Sequence, residues 1–152
     1  MPSQLEALEQ PGYLRTFRHR IPLQVRFSDV DRLGHVNNSV YQQFYDLGRL
    51  HYFQSVLEGP MEWEGDVVVL AHLEVDYLHP VTLEHQLHVG TRTLSVGTRS
   101  FRMEQVIFDT EAQRIYSRAI SVMVGFNGHR QQSADLRPEW LKAMQAYDAM
   151  LG

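Results

Sequence analysis

The segment from Val40 to Leu57 most limits the folds open to this chain, because it predicts a helix that is apolar on more than one side. Its apolar side chains lie around most of the helix circumference: Val40, Tyr41, Phe44, Leu47, Leu50, Tyr52, Phe53, Val56 and Leu57. A helix that is apolar on most sides is buried on most sides, so the rest of the chain must wrap around it. Ser39 and Gln42 match a capping box at its start, and Gly59-Pro60 is a stop signal after its end.

Segments with strand character lie on both sides of this helix in the sequence. The predicted strands are about His19 to Ser28, Val67 to Leu78, His85 to Val96, Ser100 to Phe108 and Arg114 to Phe126. In "AHLEVDYL", residues 71 to 78, apolar and polar residues alternate, which is typical of a sheet with one solvent-exposed face. The turns between the later strands are short enough for antiparallel hairpins. A final amphipathic helix is predicted over Pro138 to Met150.

This order of elements predicts an α+β fold, in which a curled antiparallel sheet wraps around a central helix: the hot-dog architecture. The expected core covers about residues 18–127, with the C-terminal helix at about 138–150, in a single domain of residues 1–152. At this length a domain buries roughly 70% of the surface of its unfolded chain, so one hydrophobic core suffices.

Composition excludes several classes of protein. The chain has no cysteine, which excludes disulfides, thiolate catalysis and zinc–cysteine sites, and favours a reducing compartment such as the cytoplasm. Its longest apolar run, "VVVLA", is far shorter than the roughly 20 residues of a membrane span. A net charge of −4 argues against a general nucleic-acid surface. We therefore expect a soluble cytoplasmic protein that binds neither membranes nor nucleic acids.

The junction before the central helix, "RFSDVDRLGHVNNSVY", holds more polar groups than a turn requires. Its pattern D-x-D-x-x-G-H-V-N-N-x-x-Y comprises Asp29, Asp31, Gly34, His35, Val36, Asn37, Asn38 and Tyr41. This pattern, placed between a strand and a capped helix, resembles the signature of the 4-hydroxybenzoyl-CoA thioesterase family of acyl-CoA thioesterases. The similarity in element order extends over about residues 18–127.

The resemblance implies a specific function and site. It implies hydrolysis of an acyl-CoA thioester, or of an acyl carrier protein thioester, with CoA as part of the substrate and no cofactor or metal. It also implies a homodimer or homotetramer whose active sites lie between subunits. In the family the catalytic acid matches Asp31, and the oxyanion donor is the backbone N–H at Asn38. Supporting or substrate-binding roles are expected for the other motif residues: Asp29, Gly34, His35, Asn37 and Tyr41.

The residue types agree with this chemistry but also permit a structural interpretation. A general base accelerates such a reaction by about 10²–10⁴-fold, and one oxyanion donor lowers the activation free energy by about 3 kcal/mol. The start of a helix offers unpaired N–H groups at the positive end of its dipole. Asp29 and Asp31 could instead form Asx turns, and Asn37 and Asn38 could brace the loop. Gly34 is expected to supply backbone freedom under either interpretation.

Other functions fit the same residues less well. The stretch "DVDRLG" begins like a calcium loop, but Leu33 and Val40 occupy two ligand positions. A metal site from Asp29, Asp31 and His35 lacks a fixed ligand set, and the D-x4-H spacing of hot-dog hydratases is absent. The rival from another class is a non-catalytic hot-dog module that binds an acyl or aromatic ligand or serves in assembly.

Two further features have open roles. The helix carries "DLGR" where many family members have Glu-x-Ala-Arg, so the role of the family's Glu does not carry over directly to Asp46. The alternative is that Asp46 and Arg49 form an ordinary ion pair on the helix surface. Several arginines could contact CoA phosphates, and the sequence does not select among them: Arg92, Arg99, Arg102, Arg114, Arg118 and Arg130.

Overall fold

The computed structural model describes residues 12–57 and 65–149. Its elements are β1 (His19–Leu23), α1 (Asn38–Val56), β2 (Asp66–Tyr77), β3 (Leu87–Val96), β4 (Ser100–Asp109), β5 (Arg114–Asn127), β6 (Gln132–Ser133) and α2 (Pro138–Ala149). Two short 3₁₀ turns, Leu14–Thr16 and Phe27–Asp29, flank β1. No helix in these ranges is long and apolar enough to cross a membrane.

The strands form one antiparallel sheet in the order β1-β3-β4-β5-β2, with β6 paired to the end of β5. Register shifts interrupt the ladders at Leu70/His72, Thr93/Ser95 and Ile107/Phe108. Such bulges bend a strand and increase its twist, and the sheet curls around α1. Side chains of α1 and the concave sheet face form most of two core clusters, and Leu136 and Met144 of the C-terminal segment complete the second. The predicted α+β hot-dog fold is therefore confirmed.

The central helix buries one face and exposes the other. Its buried residues are Val40, Tyr41, Phe44, Tyr45, Gly48, Arg49, Tyr52, Phe53 and Val56. Leu47 and Leu50 remain 40% and 47% exposed. The expectation that the helix is buried on nearly all sides is therefore wrong for the single chain, because the elements that pack on α1, chiefly β3 and β1, cover one face of it.

A buried polar network attaches the middle of α1 to the sheet. Gln105 of β4 donates to the carbonyl oxygen of Tyr45 and to Thr91 Oγ1, both at 3.0 Å, and accepts from Arg49 Nη1 at 3.0 Å. A Cβ atom at position 48 would lie 2.8 Å from Gln105 Nε2. Gly48 thus leaves room for the Gln105 amide, and an alanine at this position would force that side chain to shift.

The observed boundaries correct two predictions near the junction. The first strand ends at Leu23 rather than near residue 28, because the chain turns at Arg26 and enters the 3₁₀ turn. The cap of α1 is Asn37 rather than Ser39, since Asn37 Oδ1 accepts from the Ser39 N–H at 3.1 Å. The other four strands and the C-terminal helix start within two residues of their predicted positions. The Gly59-Pro60 stop signal and Met150 lie outside the described residues.

Candidate active site

The motif residues form a small closed loop between β1 and α1. Val30 and Val36 make an isolated antiparallel bridge, and the Asp31 N–H donates to the His35 carbonyl oxygen at 2.8 Å. The Gly34 N–H donates to the Asp31 carbonyl oxygen at 3.0 Å, and Gly34 has a φ of +78°, a conformation that favours glycine. The loop is therefore held by its own backbone, and the prediction that position 34 needs glycine has a visible cause.

A backbone bond fixes this loop to the sheet. The Val36 N–H donates to the carbonyl oxygen of Val81 at 2.8 Å, in the connection between β2 and β3. Val36 and Val81 are both buried, at 4% and 1% exposure. Because both belong to the core cluster that includes the first turns of α1, the loop cannot move far without disturbing the core.

Asp29 lies on the inner side of the loop. Its side chain is 3% exposed, and its carboxylate accepts from the Arg26 N–H at 2.8 Å and from Arg26 Nη2 at 3.2 Å. Its carbonyl oxygen accepts from the Asn37 N–H at 2.8 Å. Both carboxylate oxygens of Asp29 are thus engaged within the loop. The R-x-x-D spacing was the sequence signal that could have identified Arg26 as its partner.

Asp31 lies on the outer, exposed side of the same loop. Its Oδ1 accepts from the Leu33 N–H at 2.9 Å and from the His35 N–H at 3.3 Å. These contacts form the Asx turn that the structural interpretation anticipated. Among the described residues no group donates to Oδ2, so one oxygen of this exposed carboxylate is free for chemistry.

The start of α1 leaves one backbone donor free. Asn37 Oδ1 accepts from the Ser39 N–H and hydroxyl, both at 3.1 Å, and the Asn37 carbonyl oxygen accepts from the Val40 N–H at 2.9 Å. The Asn38 N–H has no acceptor in the described part of the chain. Since the first N–H groups of a helix carry partial positive charge, this donor is suited to bind an oxygen that gains negative charge.

The remaining predicted site residues differ in their surroundings. Tyr41 is 3% exposed and packs edge-on against Tyr77, with ring centroids 5.0 Å apart; burial raises the pKa of its hydroxyl. His35 is half-buried, and the bonds described for it come from its backbone. Tyr41 thus belongs to the core beside the loop, while the His35 imidazole makes no hydrogen bond with a described residue.

The helix residue Asp46 stands apart from this loop. It is 67% exposed and forms an ion pair with Arg49, whose side chain is 6% exposed. Burial lowers the pKa of the Arg49 guanidinium. The pair is therefore no ordinary surface pair, because its cation belongs to the Gln105 network. Sequence reasoning missed Gln105, and only the glycine at position 48 hinted at a close neighbour.

The alternative of a metal site formed by Asp29, Asp31 and His35 gains no support from the arrangement of these side chains. Within residues 12–57 and 65–149, no group of three or more His, Asp or Glu side chains is arranged to hold a metal ion. Asp29 points to Arg26 on the inner side of the loop, whereas Asp31 is exposed on the outer side. The proposed ligand set of Asp29, Asp31 and His35 is therefore not assembled.

Comparison with known proteins identifies the class and then the family. A curled antiparallel sheet around one long helix, with a polar loop at the helix start, defines a hot-dog protein. Residues 25–144 match the family described as the thioesterase-like superfamily, and the chain belongs to that superfamily. The match is to this broad group, and membership of the narrower 4-hydroxybenzoyl-CoA thioesterase family stays a prediction.

Three relatives illustrate the range of the similarity. A thioesterase from Thermus thermophilus, crystallised with coenzyme A and Zn, is 33% identical, with a TM-score of 0.78 over 88% of this chain and 96% of that chain. The uncharacterised Bacillus subtilis protein YsmA is 29% identical over 67% of this chain and 68% of its own length. The chloroplastic acyl-acyl carrier protein thioesterase ATL2 of Arabidopsis thaliana is 29% identical over 59% of this chain and 49% of its length.

Proposed function

We propose that the protein is an acyl-CoA thioesterase that hydrolyses an acyl thioester to the free acid and CoA. The observation that carries this proposal is that one short loop held by backbone bonds carries both the free Oδ2 of Asp31 and the free N–H of Asn38. Thioester hydrolysis requires a base or nucleophile and a donor for the carbonyl oxygen. Both groups are present, and both have hydrogen-bonding capacity to spare.

The reaction follows from these two groups. Asp31 Oδ2 takes a proton from a water molecule that attacks the thioester carbon, or it attacks that carbon itself to give a mixed anhydride that water then hydrolyses. The carbonyl oxygen becomes negative and accepts from the Asn38 N–H at the positive end of α1. The C–S bond then breaks, and the CoA thiolate leaves and takes up a proton. The two bonds to Oδ1 orient the carboxylate throughout.

The substrate is proposed to be an acyl-CoA of the kind used by the 4-hydroxybenzoyl-CoA thioesterase family. The motif from Asp29 to Tyr41 supports the narrower family, and the Thermus thioesterase with bound coenzyme A supports a CoA thioester. The similarity to an acyl carrier protein thioesterase makes a carrier-bound thioester the related substrate.

We also propose that the site is completed by a second copy of this chain, in a homodimer or homotetramer. β2 is a 12-residue strand at the edge of the sheet, and its outer edge has no partner strand in the described chain. Long unpaired edges readily pair with another chain. Several large apolar side chains near the loop, the helix face and this strand are exposed by more than a third: Phe27, Leu33, Leu47, Leu50, Leu70 and Tyr77.

Light scattering tests this assembly. At micromolar concentration the purified protein should have at least the mass of two chains. Because the site would be shared, dilution to the monomer should abolish activity. A monomer that retains full activity contradicts the shared site while leaving the roles of Asp31 and Asn38 open to separate test.

Turnover of a panel of thioesters tests the activity itself. The panel should contain short, long and aromatic acyl-CoAs and matched acyl carrier protein thioesters, with thiol release as the readout. Asp31→Ala is the control, because it removes the carboxylate. We expect hydrolysis of at least one substrate class by the wild type and a large loss in the control.

The rival function is a non-catalytic module that binds an acyl or aromatic ligand or serves in assembly. The Asx turn of Asp31 favours it, because the turn gives this residue a structural role without catalysis. This alternative predicts binding of a non-hydrolysable acyl-CoA analogue with no turnover of any thioester in the panel.

A further inference from the structure

The connection between β2 and β3 holds the site loop and the start of α1 from outside both. The Val36 N–H of the loop donates to the Val81 carbonyl oxygen at 2.8 Å. Burial raises the pKa of the Tyr41 hydroxyl, and a hydrogen bond from the Val81 backbone lowers it in part. Tyr41 lies about one turn after Asn38 on α1. Val81 therefore contacts both the loop that carries Asp31 and the helix start that carries the proposed oxyanion donor.

One imidazole holds the other end of the same peptide group. The Val81 carbonyl and the Thr82 N–H belong to one peptide group, and His85 Nδ1 accepts from that N–H at 3.1 Å. A peptide group is planar and almost always trans, so its C=O and N–H point in opposite directions. Because His85 fixes the direction of the N–H, it also fixes the direction in which the Val81 carbonyl oxygen meets Val36.

The His85 ring is half-buried against β5. It lies beside the ring of Tyr116, with centroids 4.8 Å apart, and Tyr116 is buried. The pKa of the Asp109 carboxyl lies below its usual value, chiefly because the Ala112 N–H donates to it, and the charge of a protonated His85 adds to this shift. The titratable or charged groups around the imidazole are Asp109, Tyr116, Arg114, His79 and Glu84. Since no described residue forms an ion pair with His85, its ring can gain or lose a proton.

We propose that His85 is a positioning residue: its neutral imidazole holds the Thr82 N–H and so orients the Val81 carbonyl oxygen toward the site loop. This role rests on the proposed function, because it concerns the reaction at that loop. An imidazolium carries a proton on both ring nitrogens and accepts no hydrogen bond. Protonation of His85 therefore releases the Thr82 N–H, and activity should fall as the pH decreases through the range where histidines ordinarily titrate, at about 6.5.

Two substitutions of His85 test this role through kcat. His85→Asn keeps an accepting oxygen near the place of Nδ1, whereas the longer side chain of His85→Gln places it near Nε2. We expect kcat of His85→Gln to fall by about tenfold with KM within about twofold of the wild type, because a small displacement of catalytic groups costs up to about 10²-fold. His85→Asn should keep kcat within about twofold of the wild type. His79→Asn, in the same connection, is the matched control, since the bond described for the His79 ring is to the Arg114 side chain.

The pH profile separates positioning from a contact that only stabilises the fold. Between about pH 8 and about pH 5.5, kcat should fall severalfold more in the wild type than in His85→Asn, because the asparagine cannot be protonated in that range. His79→Asn should have the same profile as the wild type. A contact that only stabilises the fold would lower the melting temperature of the variants and leave the profile of kcat unchanged.

Hydrogen exchange tests the contact in the full chain without substrate. The Val36 N–H should exchange at least about tenfold faster in His85→Gln than in the wild type or in His85→Asn, because its acceptor is no longer held. Absence of turnover in the wild type would refute the proposed function, and with it the role of His85 in the reaction. Exchange at Val36 would still show whether His85 orients Val81.

Three results would overturn the proposal. One is a His85→Gln variant with the kcat of the wild type and unchanged exchange at Val36. Another is an equal loss of kcat in His85→Asn and His85→Gln, because the restored acceptor would then have no effect. The third is a pH profile of His85→Asn that coincides with that of the wild type.

Discussion

Two pairs of residues in the junction loop have the same chemistry but different hydrogen bonding, and of the four residues only Asp29 is buried. Asp29 and Asn37 form the inner pair, joined by a 2.8 Å backbone bond, with the Asp29 side chain 3% exposed and both its carboxylate oxygens engaged. Asp31 and Asn38 form the outer pair, each with one polar group left without a described partner. The Asp29 carboxylate and the backbone groups of the inner pair are engaged, whereas among the described residues the outer pair keeps one acceptor and one donor free.

This difference in hydrogen bonding shows that residue type alone does not identify the functional residues of the loop. Buried polar groups are almost always hydrogen-bonded, because an unsatisfied one costs about 1–3 kcal/mol. An exposed group carries no such cost, so it can keep spare capacity for a substrate. The hypothesis that follows is that the inner pair holds the loop and the outer pair performs the chemistry.

Removing the outer carboxylate should have the largest effect. Asp31→Asn keeps an oxygen that can accept the turn bonds but has no carboxylate to take a proton or attack carbon. We expect kcat to fall by at least about 10²-fold with little change in melting temperature. Steady-state kinetics on the best acyl-CoA, with a thermal melt, measures both. A folded Asp31→Asn enzyme with near wild-type kcat would contradict a catalytic role for the outer pair and would make Asp46 or His35 the next candidate.

Deleting the outer N–H should have the next largest effect. Proline is well tolerated at the first helical position, and Asn37 has φ −62° and ψ 140°, which suit a residue before proline. Asn38→Pro therefore removes the N–H while keeping the helix start. We expect kcat to fall by about 10²–10³-fold, whereas Asn38→Ala, which keeps the N–H, should remain active. Equal activity of the two variants would rule out this donor.

Changing the inner carboxylate should affect stability more than rate. Asp29→Asn weakens the acceptor for Arg26 and leaves an amide group in a buried site built for two accepting oxygens. The expected loss is about 1–3 kcal/mol of unfolding free energy, with kcat reduced by less than about tenfold. Urea unfolding and kinetics on one preparation separate the two effects. A larger rate loss than that of Asp31→Asn would reverse the assignment of the pairs.

Chelation should have the smallest effect. The outer pair requires no metal, so dialysis against EDTA should leave kcat and KM unchanged. The bound Zn of the Thermus relative makes this worth measuring. Activity that is lost on chelation and restored by a divalent ion would support a metal site formed by Asp29, Asp31 and His35. The inner and outer pairs would then not have separate roles.

The sequence predicted the long elements better than the junction. Strands β2 to β5 were located closely because alternation and turns recur over ten or more residues. The early end of β1 and the Asn37 cap were missed, because side chain–backbone bonds of Asp29 and Asn37 decide them. No periodic pattern reports such bonds. The motif located the loop and its resemblance assigned the catalytic role to Asp31, whereas the burial of Asp29 and its bonds to Arg26 became visible only in the structure.

The contact between Gly48 and Gln105 also limits which sequences this family can explore. A methyl group at position 48 would lie 2.8 Å from the Gln105 amide, so alanine there requires a smaller or displaced side chain on β4. Relatives with Glu-x-Ala-Arg in the helix should therefore carry a different residue at the position equivalent to Gln105. The two positions, far apart in the chain, are therefore expected to covary in an alignment.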